Sequence, residues 1–328
     1  FIAYRELKAA VRRHRALSGS LVLLDTRTGE VLAMVNQPSF NPNGDRSNRA
    51  GRLRNRAVTD VFEPGSTMKP FIAAAALEDG RYRPDTQVNT EPGWFRVGRN
   101  TVKDVHNYGL LDVTGVIRKS SNVGITKIAL SLPGEDIWSL LSGLGFGVPT
   151  YSGFPGESAG LLVGYRNWNE IETATLAFGY GISVTPLQLA QAYAALGSNG
   201  ERHPISLVAL DAPNEGEHVV SKETAVAIRR MLEEVVRRRH GIMSATLEDD
   251  LAATAPLTQL VGAGAVGVVD DRAVGHRHAQ GAAVELPSSC GSTLPTARAA
   301  PVVVGMMFAA AARLRHRFIR HAPPPSRA

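Results

Sequence analysis

Two apolar runs near the start of the chain constrain its fold most. Residues 21–24 (Leu-Val-Leu-Leu) and 31–35 (Val-Leu-Ala-Met-Val) have strand length, and residues 25–29 (Asp-Thr-Arg-Thr-Gly) between them supply turn chemistry. The pattern predicts a β-hairpin. Because neither run alternates with polar residues, we expect both strands to be buried on two faces, as in a central sheet covered by helices.

Helical patterns surround this hairpin in the sequence. Residues 4–16 form a basic helical stretch, and residues 223–236 form a second periodic one. A third helix is expected after the Pro-Gly break at 64–65, with an Ala-rich apolar continuation at 71–77. A fourth is expected to begin at 185–188, because Thr-Pro-Leu-Gln combines a Thr cap, a Pro at the first position and a Gln three residues after the cap.

The helix that follows the Pro-Gly break carries a candidate nucleophile and base. Ser66 and Lys69 lie three positions apart, so they share one face of the first turn. Pro70 costs little there, since its backbone nitrogen would have no intrahelical partner. A serine hydroxyl beside an amine is typical of acyl transfer through a serine ester. The positive helix end also disfavours a charged Lys69, which suits a general base.

A simpler interpretation of this pair remains open at this point. Ser66 could be a plain helix cap and Lys69 a solvated cation, and a Ser-x-x-Lys pair occurs by chance in many proteins.

A second polar motif follows about fifty residues later. Ser120 and Asn122 precede an apolar helical run at 123–130. A second hydroxyl could relay a proton, and a carboxamide could hold an amide substrate. The alternative is a helix cap, because three polar residues before an apolar helix are common. The weight therefore lies in the two motifs occurring together and in this order.

Composition excludes several classes of protein. Hydrophobic residues make up 44% of the 328 and charged residues 20%, which argues against wholesale disorder. The net charge of +6 comes without a basic stripe interleaved with aromatics, so nucleic acid is not an expected partner. Cys290 is the single cysteine, which excludes an internal disulfide framework and cysteine-based metal sites. We expect no metal and no cofactor. No apolar run approaches the roughly 20 residues needed to span a bilayer.

The chain resembles the transpeptidase domain of class B penicillin-binding proteins, specifically the septal, division-specific type (penicillin-binding protein 3 type). Beyond the two motifs, the likeness covers residues 1–236 nearly without gaps and is carried by the segments 18–40, 54–69, 113–124, 153–157 and 178–193. The resemblance implies an α/β (α+β) fold of the transpeptidase and serine β-lactamase kind. In that fold helices flank a central antiparallel sheet.

The resemblance also implies a role for each candidate residue. Ser66 would attack the D-Ala-D-Ala end of a peptidoglycan stem peptide, and its backbone N–H would supply half of the oxyanion hole. Lys69 would take the proton of Ser66. Ser120 would pass a proton to the leaving D-Ala nitrogen, and Asn122 would hydrogen-bond the acyl-donor amide. β-Lactams would bind by acylating Ser66, and the resulting ester would resist the second step.

A cellular setting follows from the same resemblance. The parent protein would sit in the bacterial inner membrane, with this domain on the periplasmic face and divisome membrane proteins as partners. Its anchor would lie before Phe1, where the given chain shows no signal peptide and reads as a fragment. Contact with the membrane would then come only through that absent anchor.

The third motif of the family, Lys-Thr-Gly on a strand beside the site, is missing. No Lys follows Lys222, and residues 237–328 also lack Asn, Tyr and Trp. We therefore divide the chain into a transpeptidase domain at 1–236 and an aberrant segment at 237–328, which stands in place of the third-motif strands. Residues 237–242 can be encoded so that a one-base shift reads Ala-Gly-Gly-Thr-Gly-Ser, although Met243 shifted in the same way gives a stop or Cys.

Two functional hypotheses from different classes follow. The first is an active peptidoglycan D,D-transpeptidase, and the second is a truncated or frameshifted product with at most an interaction role in division. A serine β-lactamase or a penicillin sensor is a weaker alternative. The discriminating feature is whether residues 237–328 rebuild an edge strand beside Ser66.

Overall fold

The computed structural model of the chain describes residues 1–41, 43, 53–237 and 263–270. The helices in these ranges are α1 (Ile2–His14), α2 (Arg56–Thr59), α3 (Lys69–Glu78), α4 (Val113–Lys119), α5 (Asn122–Leu130), α6 (Gly134–Gly143), α7 (Glu170–Leu176), α8 (Pro186–Gly197) and α9 (Lys222–Arg237). The strands are β1 (Ser18–Asp25), β2 (Val31–Gln37), β3 (Gln87–Asn89), β4 (Trp94–Val97), β5 (Asn100–Lys103), β6 (Leu110–Asp112), β7 (Glu201–Arg202), β8 (Glu217–His218) and β9 (Ala263–Asp270). Two short 3-10 turns lie at Gly65–Met68 and Tyr165–Asn167.

The main sheet has the strand order β2-β1-β9, and both neighbouring pairs are antiparallel. The predicted hairpin is therefore confirmed, with the β1–β2 register running from Gly19 opposite Gln37 to Leu24 opposite Val31. On its other side β1 pairs with β9 from the segment 237–328. The rest of that segment lies outside the described residues apart from Arg237, and the proposed frame shift at 237–242 lies there almost entirely.

Strand β1 is buried between two layers of helices. Val22 and Leu24 join the main core, where α8 packs against the sheet. Leu21 and Leu23 point to the opposite face and pack with Leu7 of α1 in a second, smaller cluster. Because successive side chains of a strand face opposite sides, burial on both faces accounts for the unbroken apolar run at residues 21–24. The antiparallel sheet flanked by helices, an α/β (α+β) fold, is thereby confirmed.

The same prediction is wrong for β2. Its side chains are mostly half-buried, and Leu32 is 52% exposed. Among the described strands β2 has a neighbour only on its β1 side. The unbroken apolar runs predicted that both strands would be buried on two faces. Only β1, which lies between β2 and β9 in the sheet, is buried in this way.

Helix α3 is the buried centre of the main core. Every residue from Lys69 to Ala76 is buried, so the first eight residues of this helix have no solvent face. Phe71 meets the rings of Phe146 and Tyr193 edge-on, with centroid separations of 5.5 and 4.8 Å. Packing on all sides fixes the position of Lys69 at the start of the helix.

Helix α8 begins as predicted. Thr185 accepts a hydrogen bond from the backbone N–H of Gln188, and the Gln188 side chain accepts one from the N–H of Thr185. The other end of the same carboxamide donates to the carbonyls of Val148 and Ala159, at 2.7 and 2.8 Å. Gln188 thus joins the helix start to two buried loop segments. None of the described helices is long and apolar enough to cross a membrane.

Replacing Gln188 tests this junction. We expect Gln188→Leu to lower the free energy of unfolding by roughly 2–4 kcal/mol, because it removes the acceptor of the buried Thr185 N–H and leaves two buried carbonyls without donors. Urea denaturation followed by circular dichroism measures the change. The matched control is Gln87→Leu, whose exposed side chain donates only to the carbonyl of Asp85. The control should change stability by less than about 0.5 kcal/mol, and equal losses in both variants would contradict the assignment.

Candidate active site

The candidate nucleophile lies in a 3-10 turn and not in the α-helix predicted to begin at Ser66. The carbonyl of Ser66 accepts from the N–H of Lys69, three residues on, and α3 begins at Lys69. Pro70 explains this geometry, because it has no N–H to give the carbonyl of Ser66 an α-helical bond. The Ser66 side chain caps neither the turn nor α3. The interpretation of Ser66 as a plain cap is therefore wrong.

A buried tyrosine from α8 holds this turn in place. The Tyr193 hydroxyl donates to the carbonyl of Thr67 at 2.8 Å, and Thr67 Oγ1 donates to the carbonyl of Pro64 at 2.7 Å. Burial raises the pKa of Tyr193, so its hydroxyl stays a donor throughout the physiological range. The residue next to the nucleophile is thus fixed by contacts that the sequence motif does not reveal.

A glycine also allows a second segment to lie directly on the turn. Gly179 has φ +84°, and a Cβ at this position would lie 2.1 Å from the carbonyl oxygen of Gly65. The N–H of Gly65 donates to the carbonyl of Gly179 at 3.2 Å. The Glu63 carboxylate accepts from the N–H of Gly181 at 3.0 Å. Only glycine fits at Gly179, because the backbones are in contact there.

Lys69 is the centre of the site. Its side chain is only 2% exposed, so the interpretation as a solvated cation is wrong. The Lys69 Nζ lies 2.9 Å from Ser66 Oγ, 2.9 Å from Ser120 Oγ, 2.7 Å from the Ser120 carbonyl oxygen and 2.7 Å from Asn122 Oδ1. The structure therefore brings all four predicted site residues together around one nitrogen.

The chemical types of the four oxygen atoms indicate which of them accept a hydrogen bond from Lys69 and which can donate one to it. The Ser120 carbonyl and Asn122 Oδ1 can only accept, so they suit the two N–H groups of a neutral amine. The lone pair of that amine then remains for a hydroxyl proton, and Ser66 Oγ lies 2.9 Å away. A protonated Lys69 has three donors and no lone pair. The arrangement can therefore accept the proton of Ser66 only when Lys69 is neutral.

Burial lowers the pKa of Lys69 to about 7, and the charge of Asp104 opposes the shift. The cause is loss of hydration of the ammonium form inside the protein. The neutral base is thus substantially populated near pH 7, whereas an exposed lysine is almost wholly protonated there.

Ser121 performs the capping role that sequence reasoning had offered for its neighbours. Its hydroxyl accepts from the N–H of Gly124 at 2.8 Å and caps α5. Ser120 ends α4 with φ +54°, in the left-handed region. Asn122 is the first residue of α5. Because Ser121 takes the cap, the side chains of Ser120 and Asn122 are left for Lys69.

Asp104 is a site residue that sequence reasoning missed. Its carboxylate accepts from Ser121 Oγ at 2.6 Å, from the N–H of Asn122 at 2.5 Å and from the N–H of Val123 at 3.0 Å. An anion at a helix N-terminus is favourable, since the first N–H groups have no partner within the helix. Asn122 Nδ2 donates to the carbonyl of Lys103 at 3.3 Å, which orients its Oδ1 towards Lys69. The only local signal was an acid directly after a strand.

Matches with known proteins show the family of the chain. The model of the penicillin binding protein transpeptidase domain matches residues 19–253. The chain belongs to the penicillin-binding protein transpeptidase family. In the part of the chain that the structure describes, no group of three or more His, Cys, Asp or Glu side chains could hold a metal ion.

Curated members of this family are similar over most of the chain. A probable peptidoglycan D,D-transpeptidase PenA of Neisseria flavescens is 44% identical over 231 residues, which are 70% of this chain and 57% of that protein. The peptidoglycan D,D-transpeptidase FtsI of Escherichia coli (strain K12) is 44% identical over 247 residues, which are 75% of this chain and 42% of that protein. The chain thus spans about half the length of the curated relatives it matches.

Solved structures give the same family. The apo structure of the transpeptidase domain of penicillin-binding protein 3 from Burkholderia pseudomallei matches with a TM-score of 0.65 and 43% identity, covering 72% of this chain and 67% of that one. A structure described as a peptidoglycan glycosyltransferase from Burkholderia ambifaria matches with a TM-score of 0.67 and 43% identity, covering 72% of each chain.

Substitution of Asp104 tests its place in the site. Asp104→Asn puts an NH2 group or a weaker acceptor against the N–H donors of α5, so we expect a loss of about 1–3 kcal/mol in stability. Because the Asp104 charge raises the pKa of Lys69, we also expect that pKa to fall below the wild-type value. Urea denaturation measures the first effect, and NMR titration of the lysine Nζ measures the second.

The control for this experiment is Asp85→Asn. Asp85 is exposed, so its substitution should change stability by less than about 0.5 kcal/mol and leave the Lys69 titration in place. An unchanged Lys69 pKa in Asp104→Asn would contradict the electrostatic part of the assignment.

Proposed function

We propose that this chain is the catalytic domain of a peptidoglycan D,D-transpeptidase that is acylated at Ser66. The observation that carries the proposal is the buried Lys69 amine, 2.9 Å from Ser66 Oγ and held by acceptors of Ser120 and Asn122. The names of the 44%-identical relatives, peptidoglycan D,D-transpeptidases PenA and FtsI, support the substrate class.

In the first step Ser66 Oγ attacks the carbonyl carbon of the penultimate D-Ala of a stem peptide. Its proton passes to neutral Lys69, and the negative charge gathers on the former carbonyl oxygen. The backbone N–H of Ser66 donates to that oxygen. The C–N bond then breaks, and the leaving D-Ala nitrogen takes a proton through the hydroxyl of Ser120, which lies 2.9 Å from Lys69 Nζ.

In the second step an amine of a neighbouring stem peptide attacks the ester carbonyl. The amine loses a proton to the base, an amide bond forms, and Ser66 Oγ leaves and recovers its proton. Asn122 hydrogen-bonds the backbone amide of the acyl donor in both steps. A β-lactam follows the first step, with ring opening in place of loss of D-Ala, and its ester persists. The products are a cross-link in one case and an inhibited enzyme in the other.

The setting that we propose is the periplasmic face of the bacterial inner membrane, during division. The similarity to FtsI over 247 residues supports it. Divisome membrane proteins are the proposed partners of the longer parent protein, and stem peptides and β-lactams are the proposed ligands of this domain.

One observation favours a second candidate function. No Lys follows Lys222, so the chain has no Lys-Thr-Gly segment after α9. An inactive product with at most an interaction role in division is therefore the alternative. A serine β-lactamase or a penicillin sensor is weaker, because the relatives named above are transpeptidases.

Acylation by penicillin tests the proposal directly. We expect one covalent adduct per chain by intact-mass analysis, located on the Ser66 peptide and absent from Ser66→Ala. Ser18→Ala is the matched control, since Ser18 lies at the start of β1, and it should keep the adduct. A folded wild-type chain without an adduct would overturn the proposal in favour of the inactive product. Many turnovers of a chromogenic β-lactam per chain would indicate a β-lactamase.

The pH dependence of acylation tests the role of Lys69. The neutral amine is the active form and its pKa is about 7, so the acylation rate should rise tenfold per pH unit below pH 7 and level off above it. Fluorescent penicillin labelling between pH 5 and pH 9 gives the profile.

The matched variants for this experiment are Lys69→Met and Lys69→Arg. Both should lower the rate by about 100-fold or more, since methionine takes no proton and arginine stays charged. A Lys69→Arg chain that acylates at the wild-type rate would show that a cation, and not a base, is what Ser66 needs.

A further inference from the structure

The hairpin formed by β4 and β5 has one face that the described part of the protein leaves uncovered. Its two strands are antiparallel, with Trp94 opposite Lys103 and Arg96 opposite Thr101. Val97 and Val102 are buried on the inner face, where the hairpin meets α5 and α7. Because successive side chains of a strand face opposite sides, Trp94 and Arg96 lie together on the outer face, each beside its cross-strand partner.

This outer face combines an aromatic ring with positive charge. Trp94 is 49% exposed, although tryptophan is usually highly buried. Arg96, Arg99 and Lys103 are also exposed, and residues 94–103 contain no Asp or Glu. Among the described residues, no ion pair or hydrogen bond is formed by the side chains of these three cations. We call Trp94, Arg96, Arg99 and Lys103 the hairpin face.

The hairpin face is joined rigidly to the candidate active site. The carbonyl of Lys103 accepts from Asn122 Nδ2 at 3.3 Å, and Asp104 follows directly and holds the start of α5. On the inner side, Lys127 of α5 lies 5.1 Å from the ring centre of Phe95. The strand that carries Lys103 on the hairpin face therefore also contacts Asn122 of the candidate active site, and Trp94 is the cross-strand partner of Lys103.

We propose that the hairpin face binds the carboxylate-bearing sugar–peptide strand of peptidoglycan next to the reacting stem peptide. The proposal rests on the proposed function, because it extends the same substrate beyond Asn122. The indole of Trp94 offers a flat apolar surface to the C–H face of a sugar ring. The guanidinium groups of Arg96 and Arg99 suit bidentate pairing with free carboxylates of stem peptides.

The size of the hairpin face favours a polymer strand over a folded protein partner. Four side chains cover far less than the roughly 800 Å² per partner that a stable protein–protein interface buries. Three cations within ten residues form weak ion pairs with carboxylates, and salt weakens these pairs further. Weak pairing suits a polymer that offers the same groups at many points along its length. An acidic protein partner is the competing occupant, and the experiment below separates it.

The test is binding of the full chain to purified peptidoglycan sacculi, measured by co-sedimentation. All chains carry Ser66→Ala, so that covalent capture does not contribute. We expect Trp94→Ala and Arg96→Glu each to weaken binding by at least about fivefold, and higher salt to weaken the parent chain. The matched controls are Tyr151→Ala, an aromatic side chain that is 78% exposed, and Arg12→Glu on the exposed side of α1, each within about twofold of the parent.

A second ligand tests the charge. Sacculi whose carboxyl groups have been converted to amides should bind the parent chain as weakly as native sacculi bind Arg96→Glu. Arg99→Glu provides a further variant if thermal denaturation shows that Arg96→Glu is unfolded.

Hairpin variants that bind native sacculi as well as the parent chain would overturn the proposal and leave an acidic protein as the occupant. Equal binding to amidated sacculi would overturn the carboxylate assignment. Acylation of the wild-type chain by labelled penicillin is measured separately. A chain that is acylated but shows no hairpin effect refutes this inference alone, whereas a chain that is not acylated refutes the proposed function.

Discussion

The buried amine of Lys69 is the interaction on which the rest of the site depends. A lysine that is 2% exposed is costly as a bare cation, and it is tolerated when it is neutral or fully hydrogen-bonded. Two oxygens that can only accept fix the direction of its N–H groups, and these come from Ser120 and Asn122. The same loss of hydration that costs stability brings the pKa of Lys69 to about 7. The cost of desolvation and the neutral form of the amine therefore have one physical cause.

The position of the Lys69 amine beside Ser66 depends on an unusual start to α3. Pro70 removes an α-helical bond, and a 3-10 turn places Ser66 before the helix that carries Lys69. A turn of this kind is not stable alone, and Tyr193 and Gly179 hold it from two directions. On the opposite side of Lys69, Ser120 has a left-handed backbone conformation and Ser121 caps α5. The side chains of Ser120 and Asn122 therefore lie next to the Lys69 nitrogen. Each local irregularity has an identifiable neighbour that stabilises it.

Sequence reasoning found local patterns and the second motif at Ser120 and Asn122, and it missed distant contacts that no motif marks. The Ser66–Lys69 spacing, the hairpin of β1 and β2, and the capping box of α8 are short-range patterns, and the structure contains all three. Tyr193 is 126 residues from its partner in the turn, and Asp104 meets α5 across a loop and a helix, so no window of sequence reveals either contact. The start of α3 was misplaced because Pro70 was counted among the positions without an intrahelical partner, whereas an N–H at position 70 is the one that would bond the Ser66 carbonyl in an α-helix.

The missing Lys-Thr-Gly belongs to a different part of the chain from the contacts of Lys69. Every contact described for the nucleophile turn and for the Lys69 amine comes from residues 63–193. Strand β9, from the later segment, pairs with β1 in the main sheet. The hydrogen bonds that hold the Lys69 amine are thus encoded before α9 begins, whereas the third motif of the family was expected on a strand after it. A change confined to residues 237–328 therefore leaves every partner of the Lys69 amine in the chain, and it alters their geometry only if it displaces the core helices that carry them.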